Sequence, residues 1–239
     1  MKLNNLNLTI VILVGLAICL SCKSDNKKLD THSKLPDNLS AQSQLEATKF
    51  EIFNIEPDAQ ANLKPTTLKY KEVKYHRGDL LVRQDFYEVN NTLKGFEVIT
   101  KEKDGGISNY YSVDSVLLAI YHLAYIPGTD LVMRKEGFDG QTKDLLRIET
   151  YEYDNSTKRM KSKIIFDASG SPVRKYEMSL DDMGNEKTVA IMNPDGTAIA
   201  NESYEVLASD NTGRWTERWG KVNGEVKTFQ RRIFSKLNK

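Results

Sequence analysis

"YEYDNSTKRMKSKIIFDASGSPVRKYEM", residues 151–178, is one full period of a pattern that runs through the second half of this chain. It holds two turn clusters, "DNST" and "FDASGS", and between them runs rich in Tyr, Ile, Val and Met. Asp, Asn and Gly belong at such turns: Asx side chains hydrogen-bond the local backbone, and Gly and Asn tolerate left-handed geometry. Intervening runs of about 8 to 12 residues have the length of strands, so each period reads as one β-hairpin.

Outward from this stretch, Asp139-Gly140, Asp167-Ala168, Asp195-Gly196 and Asn223-Gly224 recur at 28-residue spacing, and Asp154, Asp182 and Asp210 keep the same interval. Tyr176 matches Tyr204, Met178 matches Val206 and Leu180 matches Ala208, while Glu149, Glu177 and Glu205 recur on the opposite parity. Period-two alternation therefore predicts tyrosines toward a core and glutamates toward water. One fault interrupts the pattern. Met160, Ile164 and Phe166 carry the apolar face while Lys161 and Lys163 point away, yet Val189 and Ile191 occupy the lysine columns one repeat later. Either a bulge shifts the register or the sheet is covered on both faces.

Residues 112–128, "SVDSVLLAIYHLAYIPG", admit two readings. Val113, Val116, Leu117, Ile120 and Ala124 form a helical stripe that Pro127-Gly128 would end, but a repeat step back from Tyr153 lands on Tyr125 and favours strand. Upstream, hairpins centre on Arg77-Gly78-Asp79 and Asp104-Gly105-Gly106 at irregular spacing. The expected fold is all-β: an antiparallel β-meander of 28-residue hairpin repeats forming an open or curled sheet. It occupies a single domain, residues 50–239, with a diverged part over 50–120 and regular repeats over 121–239.

The first residues, "MKLNNLNLTIVILVGLAICLSC", carry Lys2 and then an apolar run over residues 10–20, which is too short to cross a bilayer of about 30 Å as a helix. Followed by Ser21-Cys22 and the polar "KSDNKK", this segment resembles a bacterial lipoprotein signal, although Cys19 stands where that family usually has Leu. The resemblance implies a signal peptide over residues 1–21 and lipid attachment at Cys22, hence a membrane anchor; Lys23 in place of Asp implies the outer membrane. Residues 22–49 read as a disordered tether because they have so little apolar surface to bury. Cys19 and Cys22 are the only cysteines, so the mature domain has neither thiol nor disulfide.

The opening stretch, with its relative "YEVLASDNTGRWTERWGKVNGEVKTFQRRIF", resembles the tyrosine-aspartate (YD, or RHS-type) hairpin repeats of bacterial envelope proteins. The likeness covers residues 121–234, and Tyr153-Asp154 carries the dipeptide itself. It implies an antiparallel β scaffold that contacts carbohydrate or protein, without catalysis.

Chemistry-bearing motifs are missing. There is no Gly-x-Ser-x-Gly elbow, phosphate-cradling loop or dinucleotide fingerprint, and His32, His76 and His122 stand without a second ligand at metal spacing. No cofactor or metal is expected. The repeated glutamates, with Arg147, Arg174 and Lys175 nearby, read as cross-strand charge pairs rather than a glycosidase dyad. Lys and Arg number 34 against 33 acidic residues, which gives no reason to seek nucleic acid. The basic end "RRIFSKLNK" reads as a solvated face.

Both tryptophans, Trp215 and Trp219, lie four apart in the last repeat, so their rings are expected on one face about 13 Å apart. They form either a sugar-stacking platform with Arg218 or Arg214, or an aromatic cap over the end of the stack. The function expected is a non-enzymatic envelope lipoprotein whose β scaffold binds a protein or glycan partner. The alternatives are a structural or assembly protein and a periplasmic immunity protein against a toxin.

Overall fold

The computed structural model describes residues 45–78, 80–102 and 105–237. The expected signal peptide, Cys22, His32, the tether up to residue 44, Asp79 and Asp104 lie outside the described residues. Fourteen strands follow one another: β1 Leu45–Pro57, β2 Leu63–Arg77, β3 Leu80–Tyr87, β4 Leu93–Lys101, β5 Gly106–Ser112, β6 Leu117–Tyr125, β7 Val132–Asp139, β8 Leu145–Tyr153, β9 Met160–Asp167, β10 Pro172–Leu180, β11 Glu186–Met192, β12 Ala198–Ser209, β13 Trp215–Val222 and β14 Glu225–Leu237. Residues 117–125 are strand, which settles the ambiguous apolar segment in favour of the repeat.

Each strand pairs antiparallel with its successor, and β1 pairs with β14 as well as β2, from Leu45 opposite Leu237 to Phe53 opposite Phe229. The sheet is therefore a closed barrel, which corrects the open or curled meander expected from the repeats. The closing strand begins at Leu45, inside the stretch read as tether, where "LEATK" looks polar although Ala47 is buried. An open sheet would leave rows of unpaired N–H and C=O groups along its two edges; pairing first strand with last removes both.

Because every neighbour is antiparallel, the turns alternate between two rims. The turns after Asp139 and Asp167, and those holding Asp195 and Asn223, share one rim; those of Asp154, Asp182 and Asp210 lie on the other, where β1 begins and β14 ends. The aspartates act as the sequence requires: Asp139 Oδ1 accepts the N–H groups of Gln141 and Thr142, and Asp154 Oδ1 those of Ser156 and Thr157. These bonds hold the turn carboxyls below the usual carboxylate range, Asp210 down to about 2 even against some desolvation.

The faces of the wall follow from contacts that skip strands. Lys135 Nζ on β7 lies 3.1 Å from Glu97 Oε1 on β4, a reach over two intervening strands that only the concave side allows. Pairing then carries the assignment around the ring: Lys135 is opposite Glu149, Tyr151 opposite Lys163, Lys163 opposite Tyr176, and Tyr204 opposite Gly220. Glu177, 2.6 Å from Lys175, and Glu205, 2.7 Å from Lys221, lie on the outer wall as expected. Glu149 does not: it is buried in the lumen beside Tyr151, contrary to the alternation read from the repeats. The fault in the apolar columns is not a slip of register: Lys163, Tyr176 and Ile191 pair in line on the lumen face, so the lysine column faces inward and Ile164 turns to the outer wall.

Barrels of about 8 strands fill with ordinary side chains, whereas those of about 16 leave a channel. Fourteen strands call for long side chains, and the lumen is accordingly stocked with Tyr, Trp, Lys, Arg and Glu around smaller apolar groups such as Ala119, Leu123, Val189, Ile191 and Ala200.

Candidate functional site

The unit from which the lumen is built is a tyrosine two residues from a glutamate on one strand, so that both project inward. Tyr70 donates to Glu72, Tyr151 to Glu149 and Tyr204 to Glu202, each at 2.6 Å. Burial, and next the adjacent carboxylate, push all three phenols far above the ordinary tyrosine range. A buried carboxylate needs such donors, since desolvation without them is costly.

Around β7–β9 the charges answer one another. Arg147 Nε lies 2.8 Å from Glu149, Lys135 bridges to Glu97, Ser108 also donates to Glu97, and the Lys135 ammonium sits 3.8 Å over the Tyr121 ring. Burial raises the Glu149 pKa, but Arg147, Tyr151, Lys163 and Lys135 outweigh it and hold the carboxyl below its usual range. Burial likewise draws the Lys163 ammonium down and raises the Tyr121 phenol to about 12. At β2–β3, Glu72 takes Gln84 Nε2 at 2.6 Å and Lys74 at 2.7 Å. In these clusters cations and carboxylates lie side by side, although the buried Arg147 Nε, close to Glu149, makes no well-formed hydrogen bond among the described residues.

A third cluster, near the rim where the chain begins and ends, is different. Arg218 lies between two aromatic rings, 3.7 Å over Tyr204 and 4.0 Å over Trp215. Its Nε donates to Gln230 at 2.8 Å and its Nη2 to Glu186 at 3.1 Å, whereas its buried Nη1 has no partner among the described residues. Arg232 stacks on the same indole at 3.9 Å and has no carboxylate within 4.0 Å among the described residues. Burial, then repulsion by Arg218, draws its guanidinium down to about 10. Burial also raises the Glu202 carboxyl, only partly offset by Tyr204 and Arg218.

A cleft of about 330 Å³ opens beside this cluster, lined by Leu180, Asp181, Glu186, Lys187, Tyr204 and Val206 among others. Two of these, Glu186 and Tyr204, touch Arg218 directly, and Val206 is its cross-strand neighbour. Turns stack above it: Asn185 Nδ2 donates to the Gly213 carbonyl at 3.3 Å, and Met183 covers the face of Gly213, leaving no room for a β-carbon there.

The expected platform is therefore not a platform. Trp215 is 1 % exposed and faces the lumen against Phe50, while Trp219 lies on the outer wall against Phe229. The four-residue spacing fails because Ala208 pairs with Glu217 but Ser209 with Trp215, so a bulge at Thr216 reverses the face. The cap reading falls too, since a closed ring has no last repeat to cover. Arg218 joins Trp215 rather than Trp219, and Arg214 is engaged by Asp210 at 2.7 Å and by the Phe234 ring.

Sequence reasoning missed Arg232, Glu186, Gln230 and Tyr204 as members of one site. The solvated face expected for the basic end holds for Arg231, which faces outward 3.1 Å from Glu51, but not for Arg232, which turns to the lumen. The usable signal was parity: Gln230 and Arg232 alternate with the apolar Phe229 and Ile233. The histidines do not assemble a site: His122 packs on Phe138 at 4.8 Å, and His76 lies opposite Glu46 in β2. Among the described residues no group of three His, Cys, Asp or Glu side chains is placed to hold a metal.

The fold and site define a closed antiparallel barrel with a packed, ionised lumen and one cationic mouth. No family model matches the chain, and no curated protein matches it. Among solved structures it is similar to a porin-like protein from Bacteroides uniformis at 10% identity, covering 79% of this chain and 96% of that one, with a TM-score of 0.42. It is also similar to a DUF1329 family protein from Desulfovibrio piger at 7% identity (83% and 86% covered, TM-score 0.25). A Photorhabdus luminescens Tc holotoxin pore is matched at 15% identity over 68% of this chain and 10% of that one, with a TM-score of 0.30.

Proposed function

We propose that this protein is a non-catalytic lipoprotein of the bacterial envelope, anchored through Cys22, whose barrel binds a partner at the mouth beside Trp215. The observation that carries this reading is the asymmetry of the lumen. Around β7–β9 and β2–β3 cations lie beside carboxylates, Arg147 within 2.8 Å of Glu149 and Lys74 within 2.7 Å of Glu72, whereas at the mouth the head of Arg232 has no carboxylate within 4.0 Å among the described residues and is left over, next to an open cleft. Left-over polar groups beside a cleft mark binding sites, since a purely structural core gains nothing from them. The outer wall favours a barrel carried by a lipid over one embedded in lipid. Ion pairs such as Lys175–Glu177 and Arg231–Glu51 sit there, and an Arg or Lys facing lipid at mid-bilayer costs about 2–4 kcal/mol.

Two measurements test it. Incorporation of labelled fatty acid in cells is expected for the wild type and lost in Cys22→Ala. A photoreactive residue replacing Lys187 at the cleft is expected to give one discrete adduct in cells, and the same residue replacing Glu177 on the outer wall none. Adducts of equal yield from both positions, or from neither, would defeat the binding role.

A further inference from the structure

Two guanidinium groups, those of Arg218 and Arg232, lie against the Trp215 ring, yet the carboxylates nearby do not balance them. Glu186 bonds Arg218, through Nη2, and reaches Arg232 only as a field too weak to offset burial and the Arg218 charge. Asp210 is taken by Arg214 and by the N–H groups of its own turn. Glu202 is bonded to Tyr204 and is itself pushed toward its neutral form by burial. Arg159, from the β8–β9 turn, adds a further positive field at Arg232. The excess positive charge is enclosed by aromatic rings, where water screens it poorly.

We propose that this excess is the recognition element for an oxyanion: a carboxylate or phosphate group carried by the ligand pairs with the Arg232 guanidinium, and the Arg218 guanidinium against the same indole adds to the positive field there. This rests on the reading of the mouth as a binding surface. Arginine suits the task because its planar fork offers several N–H donors to two oxygens at once and stays charged when half-buried. Both guanidinium groups already rest against the indole before any ligand arrives, so little side-chain freedom is lost on binding. The cleft at Glu186 and Tyr204 gives the rest of the ligand a place beside the anion. Its three carboxylates, Asp181, Asp182 and Glu186, outnumber Lys187, disfavour a ligand that is anionic throughout and select one with a single anionic group.

The test uses the full-length protein, with Trp219→Phe as background so that emission reports Trp215. Sodium phosphate and sodium acetate are titrated in against sodium chloride of equal ionic strength, by calorimetry and by fluorescence. Phosphatidylcholine vesicles with and without phosphatidic acid form a separate arm. A saturable response to phosphate or acetate is expected, weakened at least tenfold by Arg232→Gln and unchanged by Arg231→Gln, whose side chain faces the outer wall. Arg232→Lys, which keeps the charge but not the fork, should fall between them; it also serves if Arg232→Gln does not fold. A response to the acidic vesicles alone assigns the anion to a lipid headgroup, and a response to the soluble ions assigns it to a free ligand. The proposal fails if chloride matches both anions, or if Arg231→Gln and Arg232→Gln lose equally. If the Lys187 adduct forms while no anion binds, only the oxyanion is withdrawn and the binding mouth stands.

Discussion

Glu149 and Glu202 share one local pattern, a carboxylate two residues before a donating tyrosine, and differ in what surrounds it. Arg147, Lys163 and Lys135 overcome the burial of Glu149, so its folded pKa lies below the ordinary value. Its contribution to stability is present above the unfolded pKa and is lost as pH falls through the folded one. Glu202 has too little positive charge to offset burial and moves the other way, so it stabilises the fold only at low pH and loses that as pH rises. Glu149→Gln should therefore lower stability at pH 7 by about 3 kcal/mol, the order found when a buried pair loses one partner. The deficit should shrink toward pH 4. Glu202→Gln should raise stability at pH 7, since the amide oxygen still accepts the Tyr204 proton without a charge to bury, and the gain should vanish near pH 4. Urea midpoints of the two variants at both pH values check the opposite signs.

At the scale of elements, the turns were the most legible part of the sequence because Asp, Asn and Gly act there through purely local bonds. Asp139, Asp167 and Asp195 fall at strand ends or between strands, as the spacing requires. Faces were harder to read, for two physical reasons. Bulges such as those at Glu152/Tyr153 and Thr216 swap inside for outside without leaving a mark in composition. A lumen filled by Lys, Arg, Glu and Tyr also blurs the apolar/polar alternation on which face assignment rests. The same blur hides the site: Arg218 and Trp215 stand out in the sequence, whereas Arg232 sits in a basic run that looks solvated throughout. Glycines tell more. A β-carbon on Gly140 would overlap the Leu117 carbonyl oxygen on the adjacent strand β6, a backbone atom that cannot rotate away. Gly140→Ala should cost on the order of 1–3 kcal/mol by chemical denaturation, as overpacking does.

Closure is the property of the whole molecule that no single repeat contains. It depends on β1 finding β14 across most of the chain, with Lys49 opposite Ile233. Cysteines introduced at those two positions should oxidise to a disulfide at full yield, because residues paired across a sheet fall within bridging distance. The bond should raise the denaturation midpoint by closing a very long loop. A double variant that stays reduced under oxidising conditions would mean that the ring is open in solution. Non-reducing gel mobility and the urea midpoint read both outcomes.

The pairing of Leu45 with Leu237 places the first and last described residues side by side on one rim. A short linker could join them, and the chain could be cut instead at Asn223-Gly224 on the opposite rim, giving a circular permutant with the same ladder of hydrogen bonds. Such a rearranged chain would leave the ring from its other end. Its two ends would then lie on the rim opposite the arginine-lined mouth, whose chemistry would be unchanged.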